Sequence, residues 1–355
     1  MMNMGLGKLR FAMFATFVLL FGTVLALTGL VVWIVAPGMY AASAFGLIIF
    51  LLGLTIGITL LQFLLGPYII RTFTNMKEMD NKEYKWIHDM VDDIVKKSGL
   101  KKKPRLYLVN DGTPNAFAFG WGKNHAHIAV HTGLIEMLNK DEIKSVLAHE
   151  IGHVKHNDIV LITVASMVPV FVYYLIVAIG SIAMRSRDDD NNAFTGILIF
   201  IGAYVAQFFT YLIVLYLSRT REFYADAFGA AATSPKHMRT ALAKIAYGFP
   251  AISGNRKKKY EKTRAFYIAD PIAAVNEREQ REKELAKDLE KSVQKRAKEG
   301  PHLDTAKEIE DAMKWERERA AAKVLNIFST HPRTYKRLDA LYEFEKEFKG
   351  SPKDV

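Results

Sequence analysis

The pentapeptide HEIGH, residues 149–153, lies shortly before an uncharged run at residues 159–184. Residues four apart on a helix share a face, so the two histidines can reach one metal ion. Glu150 follows the first histidine directly, where it can take a proton from a metal-bound water. The uncharged run exceeds the roughly 20 residues that cross a bilayer. Together these features predict a zinc hydrolase site held against a membrane.

Four uncharged stretches of the 355-residue chain are each long enough to span a membrane. They lie at residues 11–36, 41–65, 159–184 and 193–217. The first is longer than the core of a signal peptide and is not closed by a small-residue cleavage site, so we expect it to be a retained anchor. The sequence therefore predicts two membrane hairpins, within residues 1–70 and 159–217.

Composition limits the chemistry and the partners. The chain has no cysteine, so any zinc site must use nitrogen and oxygen ligands. The formal net charge of +11 is typical of a membrane protein whose basic loops face anionic lipid headgroups. The sequence contains no nucleic-acid-binding motif or aromatic-basic platform, so nucleic acid is not an expected partner.

The distribution of basic residues predicts the topology. Lysines and arginines follow the second and fourth apolar runs, which places both termini and the polar segments 71–158 and 218–355 in the cytoplasm. The third and fourth runs then form a hairpin whose two ends emerge on the same side. We therefore expect the residues after Leu217 to return close to His153.

A catalytic zinc site of this kind needs a third protein ligand and one open position. Glu222 follows the fourth apolar run and is the preferred candidate. Asp226 lies one helical turn later and could accept the second N–H of a ligand histidine, which would fix its tautomer. His156 is a competing third ligand, but it would lie about 10 Å along the helix from His149.

Three more histidines form a group that resembles a metal cluster: His125, His127 and His131. They alternate along a strand-like run, and we favour strand and loop histidines without a ligand role. Other soluble elements are a helix that ends at Gly99 and a strand at Arg105–Val109. Asn139 and Glu142 predict a capping box that opens the active-site helix.

Four motifs, taken in order, carry a family resemblance. They are NAFAFG at 115–120, HEIGH at 149–153, SRTREFYAD at 218–226, and STHP at 329–332 with Arg337. Their order and their placement around the apolar runs resemble the HtpX-type membrane zinc metalloproteases, relatives of the type I CAAX prenyl protease. The order of the motifs is far more specific than the pentapeptide alone.

The resemblance implies a mainly α, multi-pass membrane protein. It implies four transmembrane helices and a cytoplasmic α+β domain with a gluzincin-like fold and a small sheet. One Zn²⁺ per chain would be bound by His149, His153 and Glu222, with Glu150 as the catalytic base. The expected location is a prokaryotic cell membrane, with the site on the cytoplasmic side.

The resemblance also implies a substrate cleft. The segment that begins Asn115, Ala116, Phe117, Ala118 would border it and pair with extended substrate, since strand addition gives backbone hydrogen bonds without strict sequence readout. His331 would lie near the cleft. The group that stabilises the oxyanion stays open among His331, Tyr224 and Arg219.

The implied function is proteolytic quality control of membrane proteins, with cytoplasmic segments of misfolded proteins as substrates. One alternative is a processing protease for a narrow substrate such as a lipidated C-terminus. Another is a non-catalytic membrane scaffold stabilised by zinc. Structural zinc sites have closed coordination, so three candidate ligands and an intact Glu150 favour catalysis. A charged insert, expected to be helical at about 256–323, has no assigned role.

Overall fold

The computed structural model describes residues 41–185, 192–247, 313–314 and 329–347. The predicted first apolar span and nearly all of the charged insert lie outside these residues. The elements follow in chain order: α1 (Ala41–Thr74), β1 (Lys77–Glu78), α2 (Lys85–Ser98), β2 (Arg105–Val109), β3 (Ala116–Gly120), β4 (Ala126–His131), α3 (Thr132–Met137), α4 (Lys140–Lys155), α5 (Asp158–Arg185), α6 (Asn192–Ala232), α7 (Pro235–Tyr247) and α8 (Thr334–Glu347).

Three helices of the described part, α1, α5 and α6, are long and apolar enough to cross a membrane. Each contains one of the predicted apolar runs. Helix α6 is 41 residues long and continues without a break past Leu217 to Ala232. A helix of that length measures about 60 Å, twice the roughly 30 Å of hydrocarbon. Residues 218–232 of α6 therefore lie beyond the apolar run and pack with the polar part of the chain.

The three long helices pack through buried apolar side chains. Helices α5 and α6 meet through Ala165, Val168, Val172, Val214 and Leu217. Helix α1 contacts α5 through Leu51, Phe171, Leu175 and Ile179. Large apolar side chains on the outer faces, such as Phe50 and Phe209, are exposed in the protein. In a bilayer such a surface contacts lipid tails, since a patch of this size is rare on a soluble monomer.

A four-stranded mixed sheet has the order β1-β2-β4-β3. Strands β2 and β4 are parallel, whereas β1 and β3 pair antiparallel with their neighbours. One face packs on α2 and α4, with Leu106, Ile128 and Val130 in the main core. The other face carries Tyr107, Phe117 and Phe119 and packs on Met76 and on Ile70 of α1. The sheet therefore lies between α4 and the end of α1, with β3 at one edge.

The predicted capping box opens α4. The Asn139 side chain accepts a hydrogen bond from the backbone N–H of Glu142 at 2.9 Å, and the Glu142 carboxylate accepts one from the Asn139 N–H at 3.0 Å. Gly99 ends α2 in the left-handed conformation, at φ 74°, as the sequence predicts. The capping box fixes where α4 begins, and the four-residue spacing of His149 and His153 places them on one face of it.

Helices α4 and α6 approach closely because glycine stands at the crossing. A Cβ on Gly152 would lie 3.2 Å from Cα of Ala225 and 3.2 Å from the Phe228 ring. A Cβ on Gly229 would lie 3.3 Å from the backbone nitrogen of His149. The pentapeptide is therefore pressed against the helix that carries Glu222.

We expect Gly152→Ala to lower the thermal stability of the purified protein in detergent. The added methyl meets backbone and ring atoms, and such overpacking typically costs about 1–3 kcal/mol. Gly202→Ala is the matched control, because a Cβ on Gly202 meets nothing within 4 Å and alanine is the better helix former. A Gly152→Ala protein as stable as Gly202→Ala would contradict the close crossing.

Candidate metal centre

Three potential metal ligands converge between α4 and α6. His149, His153 and Glu222 each offer one atom, and these atoms lie within 4.8 Å of one another. The two Nε2 atoms are 3.2 Å apart, and oxygens of Glu222 lie 3.7 Å from Nε2 of His149 and 3.6 Å from Nε2 of His153. Two nitrogens bound tetrahedrally to one zinc ion at 2.0–2.1 Å would lie about 3.3 Å apart. The donor set and its spacing therefore fit a zinc ion.

Each histidine is oriented by a carboxylate on its other ring nitrogen. Nδ1 of His149 lies 2.9 Å from Oδ1 of Asp226, and Nδ1 of His153 lies 2.7 Å from Oδ2 of Asp158. Such partners fix the ring and leave Nε2 for a metal. Asp226 is the partner that the sequence predicts, whereas Asp158 is not part of that prediction. Its signal was a lone acidic residue at the head of a long uncharged run.

Two buried arginines hold these carboxylates. Arg221 of α6 pairs with Asp158 at the start of α5. Arg337 of α8 donates two hydrogen bonds to Asp226, at 2.7 Å from Nε and 2.6 Å from Nη2. Its Nη1 lies 3.3 Å from an oxygen of Glu222. The sequence gives Arg337 no role beyond its place in a motif, because nothing in the local pattern shows that α8 folds back onto α6.

Glu150 is buried beside the cluster and close to β3. Burial raises the pKa of its carboxyl group, whereas His149, His153 and a hydrogen bond from the Ala118 N–H act in the opposite direction. A carboxyl group with a raised pKa is a better proton acceptor near neutral pH.

The electrostatics of His153 follow from its partners. Burial alone would lower the pKa of this imidazole, but the hydrogen bond to Asp158 and the charge of Glu222 raise the pKa to about 9 in the metal-free protein. The carboxylates around the cluster therefore favour a positive charge at this point, whether a proton or a cation.

The candidate cleft residues fall into two groups. Nδ1 of His331 lies 3.1 Å from Oε1 of Glu222, so this side chain reaches the cluster. Arg219 instead donates a 2.9 Å hydrogen bond to the Ser329 carbonyl, and the hydroxyl of Ser218 donates to the Thr330 carbonyl at 3.1 Å. The described contacts of Arg219 therefore hold the segment that carries His331.

Tyr224 and His156 contact each other on the same helix crossing. Their ring centroids are 4.8 Å apart, and the Arg221 guanidinium lies 5.0 Å from the Tyr224 ring. His156 caps α4 and is not a member of the ligand group.

His125, His127 and His131 do not form a metal-ligand cluster among the described residues. His127 contacts the rings of Tyr107 and Phe119, and His131 contacts Phe117. His125 lies in the turn before β4. In the described part of the chain, these three form no ligand group.

The fold and the cluster define a class of protein: a metallopeptidase joined to membrane-spanning helices. Comparisons with known proteins support this assignment to the metallopeptidases. The model of peptidase family M48 matches residues 81–345. The chain is 36% identical over 222 residues to a protein named protease HtpX homolog from Methanothermobacter thermautotrophicus, which covers 62% of this chain and 78% of that protein. A protein of the same name from Aeropyrum pernix is 29% identical over 328 residues, or 89% of this chain and 94% of that protein.

The chain therefore belongs to peptidase family M48. It is a metalloendopeptidase, and the resemblance inferred from the four motifs is confirmed. The enzymes of this family depend on zinc, which agrees with the His-His-Glu donor set. The roles of the individual site residues remain predictions.

We expect Asp158→Asn to weaken zinc binding by about 10–100-fold, because the charge that orients His153 is lost. Competition with a chelator of known affinity, on purified protein in detergent, measures the change. His156→Ala is the control and should keep the wild-type affinity. A folded Asp158→Asn protein with unchanged zinc affinity would show that Asp158 does not support the metal.

Proposed function

We propose that this protein is a membrane-embedded zinc endopeptidase that cleaves extended cytoplasmic segments of membrane proteins. The observation that carries the proposal is the placement of buried Glu150 between the three-ligand cluster and the edge strand β3. His149, His153 and Glu222 would hold the zinc ion. Bound there, zinc would polarise the scissile carbonyl and lower the pKa of a bound water.

Glu150 would act as the base. Its buried carboxylate would accept the proton of the attacking water and later give it to the leaving amine. Asp158 and Asp226 would keep both imidazole rings in the orientation that the ligands need. His331 would lie beside the reacting carbonyl, since it contacts Glu222 at 3.1 Å.

Strand β3 offers a backbone edge to a substrate. The His131 N–H donates to the Asn115 carbonyl and the Trp121 N–H to that of His125, so the odd-numbered residues of β3 face β4. The N–H and C=O groups of Ala116 and Ala118 therefore face the opposite edge. Within the described part of the chain, no strand pairs with that edge. A peptide added there would run past Glu150, which the Ala118 N–H contacts.

The position of the cluster relative to the membrane supports the substrate class. Asp158 begins an apolar helix, Asp158–Gly180, and contacts His153 at 2.7 Å. The zinc site would therefore lie at the boundary of the bilayer, on the side that the positive-inside rule assigns to the cytoplasm. Loops and tails of membrane proteins present extended segments at that height. Misfolded ones would present more, which supports a role in quality control.

Two alternatives make different predictions. A processing protease for a lipidated C-terminus would cut one sequence and spare unrelated loops. A zinc-stabilised scaffold would hold the metal and cut nothing. The edge of β3 favours the endopeptidase, because it offers hydrogen bonds to any backbone rather than a pocket for one side chain.

Glu150→Gln should keep zinc and lose at least about 100-fold in peptide hydrolysis, since it removes the base but no ligand. Metal analysis and a protease assay on the same preparation measure both effects. Glu136→Gln serves as the control, because this glutamate lies in α3 outside the cluster. Near-normal hydrolysis by Glu150→Gln would exclude its role as base.

Cleavage should be confined to one side of the membrane. A multispan substrate with labelled loops on both sides is co-reconstituted with the protease, and its cleavage sites are mapped. Cuts in cytoplasmic loops and tails with weak sequence preference are expected. Cuts only in external loops would refute the topology, and one unique cut near a lipidated terminus would favour the processing alternative.

A further inference from the structure

A groove with several basic side chains lies between the end of α1 and one end of the sheet. Its volume is about 300 Å³. We call it the basic groove; its lining includes Tyr68, Arg71, Lys102, Lys103, Arg105 and Trp121. None of its lining residues belongs to the three-ligand cluster or to the strand β3. The proposed proteolysis therefore assigns it no role.

The groove is strongly positive. Of the described residues that line it, none carries a carboxylate. Lys103 is paired with Asp92, at 2.8 Å. The charges of Lys102 and Arg105 lie at the exposed rim. The Arg71 guanidinium is held 5.1 Å from the centroid of the Tyr107 ring. Arg71, Lys102 and Arg105 thus line a groove in which no lining residue carries a carboxylate.

The pKa of His127 is affected by the same positive charges. Burial lowers the pKa of this imidazole, and the nearby charges of Arg105 and Arg71 lower it further, while Glu78 acts in the opposite direction. The ring is then neutral at neutral pH. A ligand in the groove would therefore encounter the charges of Arg71 and Arg105 and a neutral His127 ring.

Aromatic side chains of the kind found at the headgroup depth of a bilayer lie beside the groove. The indole N–H of Trp121 donates a hydrogen bond to the Leu64 carbonyl of α1 at 3.2 Å. The Trp121 and Tyr68 rings lie 5.5 Å apart. Tryptophan and tyrosine concentrate where a membrane helix passes from hydrocarbon to water. Leu61 and Leu64, which precede Tyr68 along α1, are exposed to the surroundings.

We propose that the basic groove binds the phosphate of an anionic membrane phospholipid. Arg71, Lys102 and Arg105 would contact the phosphate oxygens, since charge-assisted hydrogen bonds to phosphate are short and strong. The acyl chains would run along the exposed leucines of α1. Soluble phosphate shares the headgroup chemistry, but only a lipid also uses the apolar surface that continues from the groove.

The test uses the full-length protein, purified in neutral detergent and stripped of lipid. Its thermal unfolding is followed while phosphatidylglycerol, phosphatidylcholine or inorganic phosphate is added. A ligand that binds the folded state raises the unfolding temperature. We expect half of the maximal shift at a phosphatidylglycerol concentration about tenfold below that of phosphatidylcholine, because the choline cation is repelled.

A pair of variants separates the groove from general surface charge. Arg71→Gln with Arg105→Gln should raise the half-effect concentration of phosphatidylglycerol about tenfold or more, since two charge-assisted contacts are lost. Lys82→Gln with Lys96→Gln makes the same change in net charge on exposed residues outside the groove and should leave that concentration unchanged.

Three results would overturn the proposal. Equal losses in both double variants would show that only overall charge matters. Equal potency of the two phospholipids would remove the anionic preference. An equal shift with inorganic phosphate would make the groove a soluble phosphate site and exclude the lipid. If the arginine variant fails to fold, Lys102→Gln against Lys82→Gln repeats the comparison with single exposed lysines.

Discussion

Four buried carboxylates meet at one place in this protein, and the rest of the structure depends on how their charges are balanced. Glu150, Asp158, Glu222 and Asp226 are all nearly inaccessible to solvent. An unpaired buried charge costs several kcal/mol, so each needs a cation or a proton close by. The guanidinium groups of Arg221 and Arg337 supply positive charge, and the site between His149 and His153 can hold a further cation. These partners come from α4, α6 and α8, so charge balance requires the three helices to pack together with the start of α5.

Helix α6 links this centre to the membrane. One uninterrupted helix carries exposed apolar residues such as Phe209 in its apolar part and, further along, Glu222 and Asp226. The ligand cluster is therefore attached to the same continuous helix as the apolar run at residues 193–217. The glycines at the crossing with α4 then set the distance between the histidines and the glutamate. A rigid support of this kind is what a site with narrow geometric tolerance needs.

Local signals in the sequence predicted much of this arrangement. The capping box at Asn139 and the left-handed Gly99 depend only on neighbouring residues, and both are present in the structure. Glu222 lies close to His153, as the sequence predicts, because the ends of two adjacent antiparallel helices meet on the same side. The role of Arg337 could not be read in the same way. It depends on a contact with Asp226 across 111 residues, for which no periodicity gives a signal.

The order of the cluster along the chain has a consequence for synthesis. The two histidines precede α5, whereas Glu222 and Asp226 follow the membrane part of α6, and Arg337 comes later still. During translation the first half of the centre emerges without its counterpart. Only when both helices have been inserted side by side can the halves meet. On the proposed ligand set, the metal site would be complete only after both helices are in place, so the chain would be inactive while it is being synthesised.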